Sequence, residues 1–432
     1  MPPAPHELRR DPVGSLPEEW TEAFEAIHER AFRARQVFRW IHTRSVADPE
    51  RMTDIARTLR EKLAGWNLQM PARIDRVHRA ADDTRKFLVS FVDRPEAGTV
   101  ESVLIPPMPD DEDEDEDDDP PAPQGLRAPA RRVTQCISSQ VGCAMGCVFC
   151  ASGVAGLKRH LTAGEIVAQV LLGRTLLDPG EAIRNVVLMG MGEPLHNYDA
   201  VARALRLLTH HDGLDLSTRR VTVSTSGLVP EIERLGADFG GEIALAVSLH
   251  APDDETRTRI MPVNKRHPLG ELIPALRRYP LARRRRITIE YTLLDGVNAS
   301  IEHAKALAKF ASGRSPSRWS SSRSTPSSRG RGDLPPEARC WRFGRCSAAR
   351  SYAVFIRKTR GDEIDAACGQ LALQGAAPKR RLRLASREGE RGPSGMPRGA
   401  CVRAPHAMDP LDRRAPRLHA FFGCGGGEPR RR

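Results

Sequence analysis

Four cysteines fall within the fifteen residues CISSQVGCAMGCVFC, from Cys136 to Cys150. Thiols at this density pair as disulfides in an oxidising compartment and bind metal or do redox chemistry in a reducing one. Cys143, Cys147 and Cys150 form a C-x3-C-x2-C set, three thiolates on one short loop. An ordinary structural zinc or iron–sulfur site needs four. Three ligands leave open an incomplete zinc knuckle, thiols buried as small apolar groups, or a [4Fe–4S] cube whose remaining iron accepts an outside ligand. Cys136 stands seven residues ahead of the set and needs a separate explanation.

The bulk of the chain narrows these options. No run of eighteen apolar residues is present, and the start MPPAPHELRRDPVG lacks a charged region followed by an apolar one. A cytoplasmic protein with no membrane partner is expected, acting as a monomer. The odd total of nine cysteines argues against a disulfide framework there. Net charge is +12, but residues Asp110 to Asp119 are ten consecutive acids, so everything else carries +22. Such an excess points to a polyanionic partner, RNA or DNA first, although a solvated arginine-rich surface would look the same.

Positioning the cysteine loop requires a scaffold, and the hydrophobic pattern supplies one. Residues 17 to about 66 carry apolar side chains at three- and four-residue spacing with interleaved arginines, as two or three short amphipathic helices would. From Arg73 to Pro106 the pattern alternates, notably in RKFLVSFV and TVESVLIP, as in a hairpin or small sheet. From Val133 onward, apolar strands such as IRNVVLMGMG, RRVTVSTSG, EIALAVSLH and RRITIEYTLL alternate with helical runs such as YDAVARALRLLTH and LGELIPALRRY. That grammar predicts an α/β fold with a parallel sheet, a partial (β/α) TIM-type barrel behind a small helical domain.

The domain boundaries follow. Residues 1–70 read as a helical accessory domain, RNA-binding by the resemblance given below, and 71–135 as a β-rich connector carrying a disordered acidic insertion at 107–127. Residues 136–374 read as the barrel core and 375–432 as a disordered basic tail.

With Phe149 immediately before its last cysteine, the loop resembles the signature of the radical S-adenosylmethionine (SAM) superfamily. Together CISSQVGCAMGCVFC, GMGEPL, VTVSTSG, AVSLHAPDDETR, IEYTLLDGVN and KTRGDEIDAACGQLA are similar to the bacterial dual-specificity rRNA and tRNA (adenine-C2)-methyltransferases. The likeness covers roughly residues 17 to 311 and 351 to 373. It implies a [4Fe–4S] cluster on Cys143, Cys147 and Cys150 whose open iron chelates SAM, and an electron that cleaves SAM to a 5′-deoxyadenosyl radical. Carbon 2 of adenine is an electron-poor amidine carbon that will not attack a methyl donor in a polar displacement. The family instead spends two SAM molecules, one to methylate a protein cysteine and one to make that methyl group a radical that adds to the ring.

Carried over residue by residue, the methyl-bearing thiol matches Cys368 in DAACGQL, the resolving thiol matches Cys136, and the proton acceptor matches Glu101 in VESVLIP. The resemblance further implies a Cys136–Cys368 disulfide left after turnover and reduced before the next. SAM contacts match Gly192 and Glu193 in GMGEP, Ser224 in TVSTSG, and Ser248, Leu249 and His250 in VSLH. Flavodoxin or ferredoxin is the implied electron donor, and rRNA and tRNA the implied substrates. Taken alone, Glu101 would be an exposed strand carboxylate, His250 a structural histidine and Cys368 a small buried residue.

One segment departs from the family. Where the pattern has Asn-Leu-Ile-Pro-Phe-Asn-Pro, whose first Asn contacts SAM, this chain has RWSSSRSTPSS. Leu-Ile-Pro-Phe-Asn-Pro codons read one base late encode Ser-Ser-Arg-Ser-Thr-Pro, the hexamer Ser321 to Pro326. Residues 312–350 are accordingly read as translated out of frame, with loss of that Asn and of one barrel strand. Two alternatives stay open: a related rRNA adenine carbon-8 methyltransferase, and a catalytically impaired iron–sulfur RNA-binding protein.

Overall fold

Three short helices answer the N-terminal periodicity: α1 (Pro17–Glu25), α2 (Ala31–Arg44) and α3 (Arg57–Ala64). The computed structural model describes residues 11–66, 68–92, 98–107, 131–282, 285–311, 317–323, 354–357, 360, 361, 364 and 366. The apolar faces of these helices close on one another through Trp20, Phe24, Phe38, Ile41, Leu63 and Trp66, all buried. Phe24 meets Trp66 edge-on at 5.5 Å between ring centroids. Phe24→Ala is expected to destabilise the chain by about 3–5 kcal/mol in urea melts, because the rigid aromatic neighbours cannot refill the space.

The strand β1 (Ala72–Arg79) turns back into β2 (Arg85–Phe91), followed by β3 (Val100–Ile105) and β4 (Arg131–Cys136), all paired antiparallel in sequence. After β4 comes the cysteine loop, framed by the short pair β5 (Gln140–Val141) and β6 (Arg159–His160) with α4 (Ala151–Ala155) between them. Crossover units then alternate: α5 (Ala163–Arg174), β7 (Glu181–Leu188), α6 (Tyr198–Thr209), β8 (Val221–Thr225), α7 (Val229–Phe239), β9 (Ala244–Ser248), α8 (Asp254–Ile260), α9 (Leu269–Arg278), β10 (Ile287–Leu293), α10 (Ile301–Ala311), β11 (Ser317–Arg323) and β12 (Val354–Arg357).

The resulting sheet has ten strands in the order β1-β2-β3-β4-β7-β8-β9-β10-β11-β12. All pairings from β4 to β12 are parallel, as helical crossovers require. The sheet does not close among the described residues, so the barrel is partial, with β1 and β12 as its edges. The connector strands are not a separate layer, since β3 pairs directly with β4. Arg85 on β2 forms a buried ion pair with Glu181 at the start of β7, 2.6 Å away, tying the antiparallel strands to the parallel ones.

Local signals explain the helix starts. Thr162 and Glu165 make a reciprocal capping box at α5, with the Glu165 amide donating to Thr162 Oγ1 at 3.2 Å and the Thr162 amide to Glu165 Oε2 at 2.8 Å. Asp11 reaches the same end, accepting from Gly164 at 2.9 Å. The helical region is further joined to the core by Arg203, whose guanidinium contacts both Glu19 oxygens at 2.6–2.8 Å.

One expectation needs correcting. The strand expected to be lost from 312–350 is replaced by β11, whose backbone pairs from Ile287↔Ser317 to Leu293↔Arg323 with β10 and from Trp319↔Val354 with β12. A ladder uses main-chain groups that every residue but proline carries, so a serine-rich sequence can still occupy an interior strand position. The expectations for residues 108–130, for 312–316 and 324–353, and for the tail at 375–432 lie outside the described residues.

Beyond β12 the chain returns to the far edge of the sheet. Arg360 pairs with Asp82, in the β1–β2 turn, at 3.1 Å and donates to the Pro106 carbonyl at 2.7 Å, while the Gly361 amide donates to Asp82 Oδ2 at 3.1 Å.

Candidate active site

The cysteine loop is shaped by its backbone. Gly142 adopts φ +78°, and a Cβ there would come within 1.9 Å of the Gly156 carbonyl, to which Cys143 donates at 3.2 Å. The Cys150 amide donates to the Cys147 carbonyl at 3.2 Å, and the Val148 amide donates to Ile260 at the end of α8, 3.1 Å away. Cys143 and Cys147 are buried and Cys150 half-buried, none in a disulfide.

Burial pushes the Cys143 thiol up to about 12, helped by the negative charges of Cys150 and Glu193. Burial likewise raises Cys147, again with Cys150, Cys143 and Glu193 adding, while Arg257 opposes. Cys150 is also raised by burial. Without metal all three keep their protons at neutral pH, and metal binding must displace them.

The donor set fits a multi-iron cluster better than one ion. Among the described residues, the metal-ligating trio whose donor atoms all lie within 4.8 Å of one another is His210, His211 and Asp212, and Asp212 is already ion-paired with Arg39. The three cysteine sulfurs are spread wider. A lone zinc with Zn–S bonds of about 2.3 Å would draw its sulfurs to about 3.8 Å.

The expected SAM contacts surround this loop from the C-terminal ends of the parallel strands, where a barrel fold assembles its chemistry. Gly192 follows β7 with φ +106°, beside Ser139 and Gln140. Glu193 is buried, its carboxylate accepting from the Leu195 amide at 3.1 Å and the Ser226 amide at 2.7 Å. Burial raises its pKa, with those amides opposing. Buried Ser139 Oγ finds no hydrogen-bond partner among the described residues, an orphan polar atom consistent with a polar ligand at Gly192.

Ser224 on β8 and Ser248 at the end of β9 are half-buried, and Leu249 is buried. His250, at φ +56°, packs edge-on against Phe149 at 4.9 Å, and its Nδ1 accepts from the Thr292 amide at 2.9 Å. Burial depresses its pKa to about 3, with Arg257 adding, so the ring is neutral at neutral pH.

A second group of residues shares one face of the antiparallel strands. Cys136 on β4 sits opposite Val103 on β3, and Val103 sits opposite Lys86 on β2. Glu101 lies two residues from Val103 and so on the same face. Lys86 Nζ is 3.1 Å from Glu101 Oε1, both side chains nearly buried. Glu101 and Cys136 are therefore brought together, whereas Cys368 lies outside the described residues.

Three buried residues were not foreseen. Gln140 accepts from the Glu193 amide at 2.8 Å, and Asn298 ties the His250 and Thr292 carbonyls at 2.7 Å each. Arg257 occupies the middle of α8. The quoted GVN and APDDETR motifs contain the last two, but no hydrophobic periodicity marks a buried amide or guanidinium.

Known proteins resemble this chain over most of its length. Residues 137–310 match the radical SAM superfamily, and residues 15–67 match the ribosomal RNA large subunit methyltransferase N-terminal domain. The dual-specificity RNA methyltransferase RlmN of Sorangium cellulosum (strain So ce56) is 55% identical over 385 residues, covering 86% of this chain and 98% of the relative. A crystal structure of a radical SAM methyltransferase from Sphaerobacter thermophilus superposes with a TM-score of 0.73 at 40% identity, covering 83% of this chain and 98% of the other.

Proposed function

The chain belongs to the RlmN family of dual-specificity RNA methyltransferases, within the radical SAM superfamily, and from that membership we infer that it methylates carbon 2 of an adenosine in large-subunit rRNA and of the adenosine 3′ of the anticodon in tRNA. One observation carries the reading: a three-cysteine loop meets the glycine-containing ends of the parallel strands, with Glu101 and Cys136 on the adjoining strands.

Cys143, Cys147 and Cys150 would hold the [4Fe–4S] cluster, and Gly192, Glu193, Ser224 and Ser248 through His250 would hold SAM. When bound, these groups supply one-electron chemistry able to take hydrogen from an unactivated methyl group. The chain's own residues do the rest. Cys368 carries the methyl group that becomes the new carbon on adenine. Glu101 accepts the carbon 2 proton, on a strand whose register with β4 fixes its distance from Cys136. The Cys136 thiolate attacks the Cys368 sulfur and the bond from that sulfur to the methylene breaks; its electron pair stays on the carbon, which takes a proton to become the methyl group, freeing the RNA and leaving a disulfide between the two cysteines. Neutral His250 and the carbonyl-tying Asn298 keep the strand ends rigid.

In keeping with this reading, the protein works as a cytoplasmic monomer served by a flavodoxin- or ferredoxin-like donor. Among the described residues no helix is long and apolar enough to cross a membrane. The segment 312–350 supports the narrower reading that this chain is a weakened enzyme, since β11 supplies the ladder but not the SAM-contacting Asn.

Anaerobic reconstitution with iron, sulfide, SAM and an rRNA fragment is the direct test. Methylated adenine and a methyl group on Cys368 by mass spectrometry are the expected results, and Cys136→Ala is expected to retain RNA covalently bound. A colourless, iron-free wild-type protein, or undiminished turnover of Cys136→Ala, would overturn the assignment.

A further inference from the structure

Helix α8 reads DETRTRI, a composition that belongs on a surface, yet Arg257 in its middle is 0% exposed. Its Nε donates to the Leu249 carbonyl at 3.1 Å, its Nη2 to the Ser226 and Ser248 carbonyls at 2.6 and 3.2 Å, and its Nη1 to the Asn264 side-chain oxygen at 2.7 Å. Every acceptor is neutral. These bonds satisfy donors but leave a full positive charge in a dry interior, which is costly without a counter-charge.

Cys147, once metal binding has removed its proton, is the negative group that acts most strongly on this guanidinium, with Asp254 after it. The Asp254 carboxylate is engaged elsewhere, accepting from Asn264 and from the Leu269 amide at 2.8 Å each. The cysteine loop, by contrast, lies against the same helix. Val148 donates to Ile260, a Cβ on Gly146 would sit 3.7 Å from Pro262 Cγ, and Phe149 packs on His250, the residue after Leu249.

We propose that Arg257 is a positioning residue for the iron–sulfur cluster, its fixed positive charge held against the cysteine loop to stabilise the reduced cluster and so set how readily it takes an electron. The inference rests on the reading that Cys143, Cys147 and Cys150 hold that cluster. One electron from a low-potential one-electron donor makes the cluster and its thiolates more negative by one charge, with no bond broken and no proton moved. A buried cation favours the more negative state, because little water is present to screen it. Its four hydrogen bonds also lock the ends of β8 and β9, so the charge cannot move away.

The test compares Arg257→Gln, which removes the charge, with Arg257→Lys, which keeps it, in the full chain reconstituted anaerobically without SAM. Iron content is measured first. The reduced fraction is then followed by electron paramagnetic resonance at fixed potentials poised with dithionite and mediators. Arg257→Gln is expected to lower the reduced-to-oxidised ratio at least tenfold, about 59 mV for a one-electron couple, while Arg257→Lys stays within twofold of wild type despite a lower melting temperature. An unchanged ratio in Arg257→Gln overturns the proposal, as does an equal tenfold fall in both variants, which would mark a purely structural role. Should Arg257→Gln fail to hold iron, Arg257→Lys decides alone: a ratio within twofold supports the proposal and a tenfold fall overturns it. Absence of a cluster in wild type would instead defeat the underlying assignment of the cysteines.

Discussion

Cys147→Ala is expected to take iron from about four per chain to below about one and methylation below detection, while the cluster-free fold survives. On the proposed assignment Cys147 is one of three ligands on one loop, and two thiolates cannot hold a cube that already has an open iron. Its sulfur is a small part of the core, so the apo chain should lose only about 1–2 kcal/mol in a urea melt. Iron analysis, the visible absorbance of anaerobic protein and the melt together separate ligand loss from unfolding. Cys136→Ala is the contrast, because its thiol is assigned to product release and iron should stay. If Cys147→Ala held a full complement of iron, the loop would not be the cluster site.

Gly192→Val should be nearly as damaging by a different route. At φ +106° a side chain is strained, and a Cβ here would fall 2.7 Å from Gln140 Cβ and 2.8 Å from Gln140 N and Ser139 Oγ. Strain and overpacking together should exceed about 3 kcal/mol, and equilibrium dialysis should show SAM affinity reduced at least about tenfold. Gly180→Ala is the control, with φ +85° but nothing within 4 Å of its added Cβ. It should cost only about 1 kcal/mol and leave SAM binding intact. Equal effects at the two glycines would mean that backbone sign alone, not crowding of the pocket, explains the loss.

The parts of the fold that were readable in the sequence are those where burial and periodicity coincide. YDAVARALRLLTH became α6, with Val201, Leu205 and Leu208 inward, and the β-branched run EIALAVSLH became β9 with the expected site residues at its end. RKFLVSFV and TVESVLIP became β2 and β3, but their attachment to the parallel sheet was not visible, because it depends on the pairing of β3 with β4 across the acidic stretch. Helix α8 escaped notice for the opposite reason. Among its polar residues Thr256 and Arg257 turn inward, and a hydrophobic pattern contains no sign for a guanidinium held by carbonyls. Strand β11 shows the same limit from the other side, since main-chain pairing placed it where side-chain composition argued against any strand. The cysteine spacing announced the metal chemistry, whereas Lys86 beside Glu101 emerged only when two strands were laid in register.

The clasp of Arg360 on Asp82 joins residues 278 positions apart. As a nascent chain leaves the ribosome, the first hairpin is made early and must wait for a further 278 residues before its partner exists. Closing so long a loop is entropically slow but, because the penalty grows only logarithmically with length, not prohibitive. A polypeptide ending before Arg360 would lack the groups that fasten this segment to the β1–β2 turn.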